Sequence, residues 1–271
     1  MIKQIQTSNK VNKNVKLYSF EADGNPYQSY LIYLPDGWSK NSKILVCIHG
    51  ISRKNKVQIQ LLKPYASKND TILIAPLFSN KYHPSYQRLE VGLDGLRSDE
   101  LLNNVIIDVE NRFLIKIEKF ALFGFSAGAQ FSHRYAFCYP HKISRLVVCA
   151  AGWYTFPNLN LSFPYGVSLG KTKDFINTIS ETDICDFLSI PITVAVGEED
   201  KYFDSSLNCS KKINEMQGYT RIERAICWTK TLLYECKNRN ITPQIKFVLL
   251  QKSRHSFTEC VKFGSLSNYL S

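Results

Sequence analysis

The chain has 271 residues, 44% of them hydrophobic, with 34 basic against 23 acidic side chains and a net charge of +11. That length suits one large domain with at most a small cap, and the apolar content supports a full core and excludes a disordered chain. No apolar run approaches the roughly 18 residues of a spanning helix, so a transmembrane span is excluded. The opening Met1-Ile-Lys-Gln-Ile-Gln-Thr-Ser has no apolar stretch of signal-peptide length, and the expectation is a soluble, cytoplasmic protein. Basic residues gather at Lys3, Lys10, Lys13 and Lys16 and across Arg53–Lys56. With no nucleic-acid motif beside them they read as a solvated basic surface, and no specific nucleic-acid partner is expected. Cys47 and Cys149 fall in apolar strand-like runs and no C-x-x-C pair occurs, so the eight cysteines are expected to be reduced and structural. No His/Cys/carboxylate spacing resembles a closed metal site.

Lys16–Ala22 and Tyr30–Leu34 read as paired strands around a turn at Asp23-Gly24-Asn25-Pro26. Lys43–His49 and Thr71–Phe78 are continuous apolar strands, as burial on both sheet faces requires, with a helix over Val57–Lys68 between them. Ser98 is the expected N-cap of a helix running to about Phe113. Strand Phe120–Phe125, helix Ala127–Phe137 and strand Arg145–Ala151 follow. Residues 152–188 lose the rhythm and are expected to form an insert or small cap within a single domain spanning 1–271. Alternation then resumes with strand Ile192–Val196, helices over Asn208–Gln217 and Arg221–Cys236, strand Gln244–Leu250 and a short last helix. Strands alternating with helices imply an α/β architecture, a mostly parallel sheet covered on both faces. Ligands on such sheets bind beyond the carboxyl ends of the strands.

One such end reads Gly124-Phe125-Ser126-Ala127-Gly128. This is the G-x-S-x-G elbow, in which a tight strand-to-helix turn lifts a serine hydroxyl out of the sheet. A serine is a poor nucleophile at neutral pH and needs a base, and the base needs an orienting group. Strand Ile192–Val196 ends in Gly197-Glu198-Glu199-Asp200, and strand Gln244–Leu250 in Gln251-Lys-Ser-Arg-His255. Ser126 is therefore the candidate nucleophile, His255 the base and Asp200 the orienting carboxylate, with Glu199 and Asp204 as the other acids in reach. His133 and His141 fall on or just after the elbow helix and suit packing or surface roles, His83 lies in a polar loop, and His49 is expected to shape the loop it opens.

Negative charge developing on an acyl oxygen needs two N–H donors. Ala127, next after the serine, is one candidate. Ile51, in the loop His49-Gly50-Ile51-Ser52, is the other, with Ser52 behind it. Trp153, Tyr154 and Phe156 follow the strand next to the elbow strand and are candidates for an apolar substrate wall, as against mere packing of the insert. Tyr86 and Arg88 are candidates for the opposite wall, Arg88 with a guanidinium suited to a carboxylate or phosphate.

These elements fall in the order of the α/β-hydrolases, which the chain resembles from about Tyr30 to Phe257: the elbow, the His-Gly after the third strand, Gly197-x-x-Asp200 and His255. Within that superfamily it looks most similar to small bacterial esterases of the polyhydroxyalkanoate depolymerase and feruloyl-esterase kind. The resemblance implies the α/β-hydrolase fold and a cofactor-free Ser-His-Asp hydrolase cleaving a small or medium carboxylic ester through an acyl-enzyme. A thioesterase, amidase, peptidase or acyltransferase would use the same residues. A hydrolase fold kept as a basic, non-catalytic binding module is the reading from another class.

Overall fold

Runs of Val, Ile and Leu recur at regular intervals and become strands, because branched side chains fit a pleated surface buried on both sides. The computed structural model describes residues 3–4, 16–22, 28–168 and 179–271. The expected turn at Asp23–Pro26 lies outside these residues. An antiparallel edge is built from β1 (Lys3–Gln4), β2 (Lys16–Glu21) and β3 (Ser29–Leu34). β3 pairs antiparallel with β5 (Thr71–Pro76). Beyond it run β4 (Lys43–Ile48), β6 (Phe120–Phe125), β7 (Ile143–Cys149), β8 (Ile192–Gly197) and β9 (Ile245–Leu250), all parallel. The nine-stranded order is β1-β2-β3-β5-β4-β6-β7-β8-β9.

Alternate residues of each strand feed two cores. Val46, Ile48, Ile74, Leu122 and Val148 face α2 (Ser98–Phe113), α3 (Ala127–Cys138), α4 (Glu181–Leu188) and α6 (Arg221–Asn238). Leu45, Cys47, Leu73, Phe123 and Val147 face α1 (Asn55–Lys68) and α7 (Phe257–Lys262). Each such buried aliphatic side chain contributes about 1.5–3 kcal/mol relative to an exposed one, so both layers stabilise the sheet between them. Every cysteine among the described residues is a free thiol, and no helix among them is long and apolar enough to cross a membrane.

One local expectation, the cap of α2, is corrected. Ser98 is the first residue of α2 and not its cap: Arg97 takes the cap position, with its N–H on the Glu100 carboxylate, while the Ser98 hydroxyl turns inward and donates to the Tyr86 carbonyl. The irregular stretch 152–188 ends in α4, an ordinary layer helix. Its Ile184, Phe187 and Leu188 are buried and Phe187 stacks on Phe137 at 3.8 Å. Residues 169–178 of the expected insert lie outside the described residues.

The register brings strand ends together. Ile48 lies beside Gly124, Phe125 beside Cys149, and Gly197 beside Leu250. The loops that leave these residues therefore emerge at one edge, carrying His49, Ser126, Asp200 and His255.

Candidate active site

Ser126 sits at φ 56°, ψ −118°, a backbone conformation that a non-glycine residue adopts only when its surroundings enforce it. The enforcement is visible. The Ser126 N–H donates to the Cys149 carbonyl at 2.8 Å, and its carbonyl accepts from Ala129 and Gln130 at 3.0 and 3.2 Å. The flanking glycines permit the close approach: a Cβ on Gly124 would stand 2.2 Å from the Gly128 carbonyl oxygen, and one on Gly128 2.2 Å from that of Ile48. Both neighbours are backbone and cannot swing aside. Gly128→Ala is accordingly expected to lower stability by about 3 kcal/mol, the upper end of overpacking costs, read as a lower urea midpoint.

His255 lies between β9 and α7. Its Nε2 is 3.0 Å from Ser126 Oγ and its Nδ1 is 2.7 Å from Asp200 Oδ2. Asp200 is 3% exposed, in the turn that follows β8. Gly197 lets the two loops close, since a Cβ there would stand 2.2 Å from the Ser253 carbonyl oxygen. The N–H of Glu198 donates to Leu250 and that of Glu199 to Ser253, so the acid loop and the histidine loop are fastened together. The His255 ring stacks on Phe125 with centroids 5.2 Å apart. Arg254, the bulky residue before the histidine, points outward to a two-nitrogen pair with Glu259 and does not disturb it.

The other acids have other places: Glu199 is exposed, and Asp204 pairs with Arg221, whose guanidinium holds it well below the usual carboxylate range. Arg221 also reaches Asp200 Oδ1 at 3.0 Å. Sequence reasoning missed this residue, which stands 21 positions beyond the acid at the start of a helix. The remaining histidines are engaged elsewhere. His133 is fully buried between the Ala129 carbonyl and the Thr155 N–H, and His83 is buried against Asp94.

The loop after β4 is held as rigidly. His49 Nε2 accepts from the Phe78 N–H at 3.0 Å, so its proton is on Nδ1, which donates to the Gly50 carbonyl at 2.8 Å. Burial lowers this histidine to about 4, which keeps it neutral in that tautomer at physiological pH. The Gly50 carbonyl also accepts from the Arg53 N–H at 2.9 Å. Because a peptide is planar and trans, two donors on this carbonyl fix the Ile51 N–H in the opposite direction. The Ala127 N–H opens α3 and has no carbonyl within its own helix to bond. Gly50 itself runs against the serine, a Cβ there lying 3.4 Å from Ser126 Cβ.

Among the described residues the aromatic candidates are held in packing contacts. Tyr86 is fully buried, stacks on Phe78 at 4.7 Å and donates to the His49 carbonyl, so it braces the loop from behind. Tyr154 is buried against Trp228 at 4.6 Å, and its N–H and carbonyl are clasped by the Gln217 amide at the end of α5 (Lys211–Gln217). Trp153 lies under the buried Arg134 guanidinium at 4.4 Å, and Phe156 is 7% exposed. Arg88 is turned to solvent beside Glu90 at 3.5 Å. Next to His255 is a cleft of about 240 Å³ lined by Gly50, Ser52, Gln58, Phe125, His255 and Phe257. Composition could not separate these cases, because an aromatic side chain near a strand end serves either purpose equally well.

No protein-family model matches the sequence, and no curated protein matches it. Solved structures do. A poly(aspartic acid) hydrolase from Sphingomonas sp. KT-1 superposes with a TM-score of 0.78 at 22% identity, over 94% of this chain and 98% of that one. A poly(3-hydroxybutyrate) depolymerase from Bordetella parapertussis gives 0.75 at 20% identity, over 95% and 94%. The chain has the α/β-hydrolase fold. An S-formylglutathione hydrolase from Agrobacterium tumefaciens shares this α/β-hydrolase frame at 11% identity and a TM-score of 0.58, over 97% and 98%. In the α/β-hydrolase arrangement nucleophile, acid and histidine follow in that chain order, and the hydrogen-bonded Ser126, Asp200 and His255 stand in the order serine, aspartate, histidine.

Proposed function

We propose that the protein is a serine hydrolase that cleaves a small or medium carboxylic ester through an acyl-enzyme, with Ser126, His255 and Asp200 as its triad. The observation that carries this reading is the unbroken chain from Asp200 Oδ2 to His255 Nδ1 at 2.7 Å and from His255 Nε2 to Ser126 Oγ at 3.0 Å. Ser126 Oγ attacks the acyl carbon while its proton passes to His255 Nε2, and Asp200 stabilises the imidazolium that forms. The N–H groups of Ala127 and Ile51, with Ser52 as the alternative to the latter, hold the oxyanion. Their support is preorganisation: both donors are set by backbone geometry before substrate arrives, so no reorganisation is needed during reaction. His255 then protonates the leaving alcohol, the acyl–oxygen bond breaks, and a water deprotonated by the same nitrogen releases the acid. The likeness to polyester- and ester-cleaving hydrolases of the same fold is consistent with this substrate class.

A non-catalytic binding module with a basic surface has no physical need of three side chains in hydrogen-bonded register. Stopped-flow turnover of p-nitrophenyl esters of graded acyl length tests the reading. A burst of nitrophenol approaching one per chain, followed by slower steady release, is the result expected of an accumulating acyl-enzyme. No turnover across the acyl series by folded protein would argue for the binding module.

A further inference from the structure

α6 begins with a cation in the wrong place. Arg221 is its first residue, where the helix dipole disfavours positive charge, and Thr220 and Glu223 already form a capping box there, so Arg221 is not needed to cap the helix. Its side chain nevertheless turns inward and is only 1% exposed. Nη1 donates to Asp200 Oδ1 at 3.0 Å and to Asp204 Oδ2 at 2.5 Å, and Nη2 to Asp204 Oδ1 at 3.1 Å and Ser206 Oγ at 2.8 Å. The two oxygens of Asp200 are thereby divided, Oδ1 to Arg221 and Oδ2 to His255.

We propose that Arg221, shared between Asp200 and Asp204, is a positioning residue for the acid–base pair: it fixes the plane of the Asp200 carboxylate and sets the charge that His255 meets. This rests on the triad reading given above. Two carboxylates and one guanidinium leave one net negative charge behind the imidazole, the amount that complements a single imidazolium. Asp204 is the adjustable member, its side chain 38% exposed where that of Asp200 is 2%. A bare buried Asp200 would carry an uncompensated charge. An Asp200 paired with Arg221 alone, without Asp204, would offer His255 a neutral partner and less stabilisation of the transition state.

The charged groups around His255 are few. Asp200 touches Nδ1, Arg221 and Asp204 stand behind Asp200, the Arg254–Glu259 pair flanks the histidine on its own loop and α7, Glu199 lies near Arg254, and Lys54 lines the cleft from the start of α1. Among the described residues the Arg221–Asp204 pair is the charged pair that reaches the imidazole through Asp200. The other titratable neighbours of Asp200 are kept neutral, Cys149 by its hydrogen bond with Cys260 and by burial, Tyr154 by burial. The sign of each change therefore follows. A more negative environment favours protonated, inactive base, so the acid limb of the kcat/KM profile moves to higher pH; a less negative one moves it lower.

The experiment is the pH profile of ester hydrolysis for wild type and three variants, with circular dichroism on each. Asp204→Asn removes one negative charge and is expected to move the acid limb down by about half a pH unit. Arg221→Met removes the positive charge and is expected to move it up by at least as much, with kcat reduced about 100-fold and KM little changed, as for a misplaced catalytic group. Arg221→Lys keeps charge without the two-pronged fork and is expected to leave the limb near wild type while kcat still falls about tenfold. Should Arg221→Met fail to fold, the Asp204→Asn and Arg221→Lys profiles decide alone. Limbs of folded Asp204→Asn and Arg221→Met that coincide with wild type, or kcat unchanged in Arg221→Lys, would overturn the proposal and leave Arg221 a structural residue. Absence of turnover in the wild type would instead overturn the triad reading on which it rests.

Discussion

Ser126→Ala is expected to lower kcat for ester hydrolysis by about 10⁶-fold, the size of loss seen when the nucleophile of an established serine triad is removed. The change deletes a single oxygen whose hydrogen-bond partner is His255 Nε2. The elbow does not depend on that oxygen: Cys149, Ala129 and Gln130 hold it through the Ser126 backbone. One hydrogen bond contributes about 0.5–1.5 kcal/mol net. The melting temperature is therefore expected to move by no more than about 2–6 °C. Paired measurement of kcat and melting temperature separates loss of chemistry from loss of fold. Turnover within tenfold of wild type would rule out Ser126 as nucleophile.

Asp200→Asn is expected to cost about 10⁴-fold in kcat, although it changes the side chain by one atom. Arg221 determines why. Its Nη1 donates to the Oδ1 position, so an asparagine must place its carbonyl oxygen there and its amide nitrogen toward His255 Nδ1. A donor facing Nδ1 obliges that nitrogen to accept. The ring proton then moves to Nε2, which points at Ser126 as a donor and can no longer take the hydroxyl proton. Asp204 remains on Arg221, so the guanidinium keeps a carboxylate partner and the fold is expected to survive. Retention of activity within tenfold would show that His255 is oriented by something other than Asp200.

How much of this was legible in the sequence depends on how local each feature is. The elbow is five consecutive residues whose glycines, with the strand before and the helix after, all contribute to one turn, and it reads directly. That Asp200 and His255 come to the same edge as Ser126 reads from order, because parallel strands release their loops at one edge and each of the two follows an apolar strand run. The strands read well for the same reason: burial on both faces leaves continuous apolar segments, as in Thr71–Pro76. What did not read were contacts made across the fold. Tyr86 and Tyr154 have the composition of pocket walls, yet one braces the His49 carbonyl and the other stacks on Trp228. Ser98 has the chemistry of a helix cap, but its hydroxyl finds the Tyr86 carbonyl and Arg97 takes the cap position. Arg221 is one of 34 basic residues, and nothing near it in the chain distinguishes it; only the crossing of α6 over the end of β8 brings it to Asp200.

The claim on which everything else turns is that Ser126 is an activated nucleophile. Incubation with a fluorophosphonate, followed by intact mass measurement of wild type and Ser126→Ala, tests it without knowledge of the substrate. One adduct per chain is expected on the wild type and none on the variant. Folded wild type that takes up no adduct, or a variant that labels as well as wild type, would contradict it.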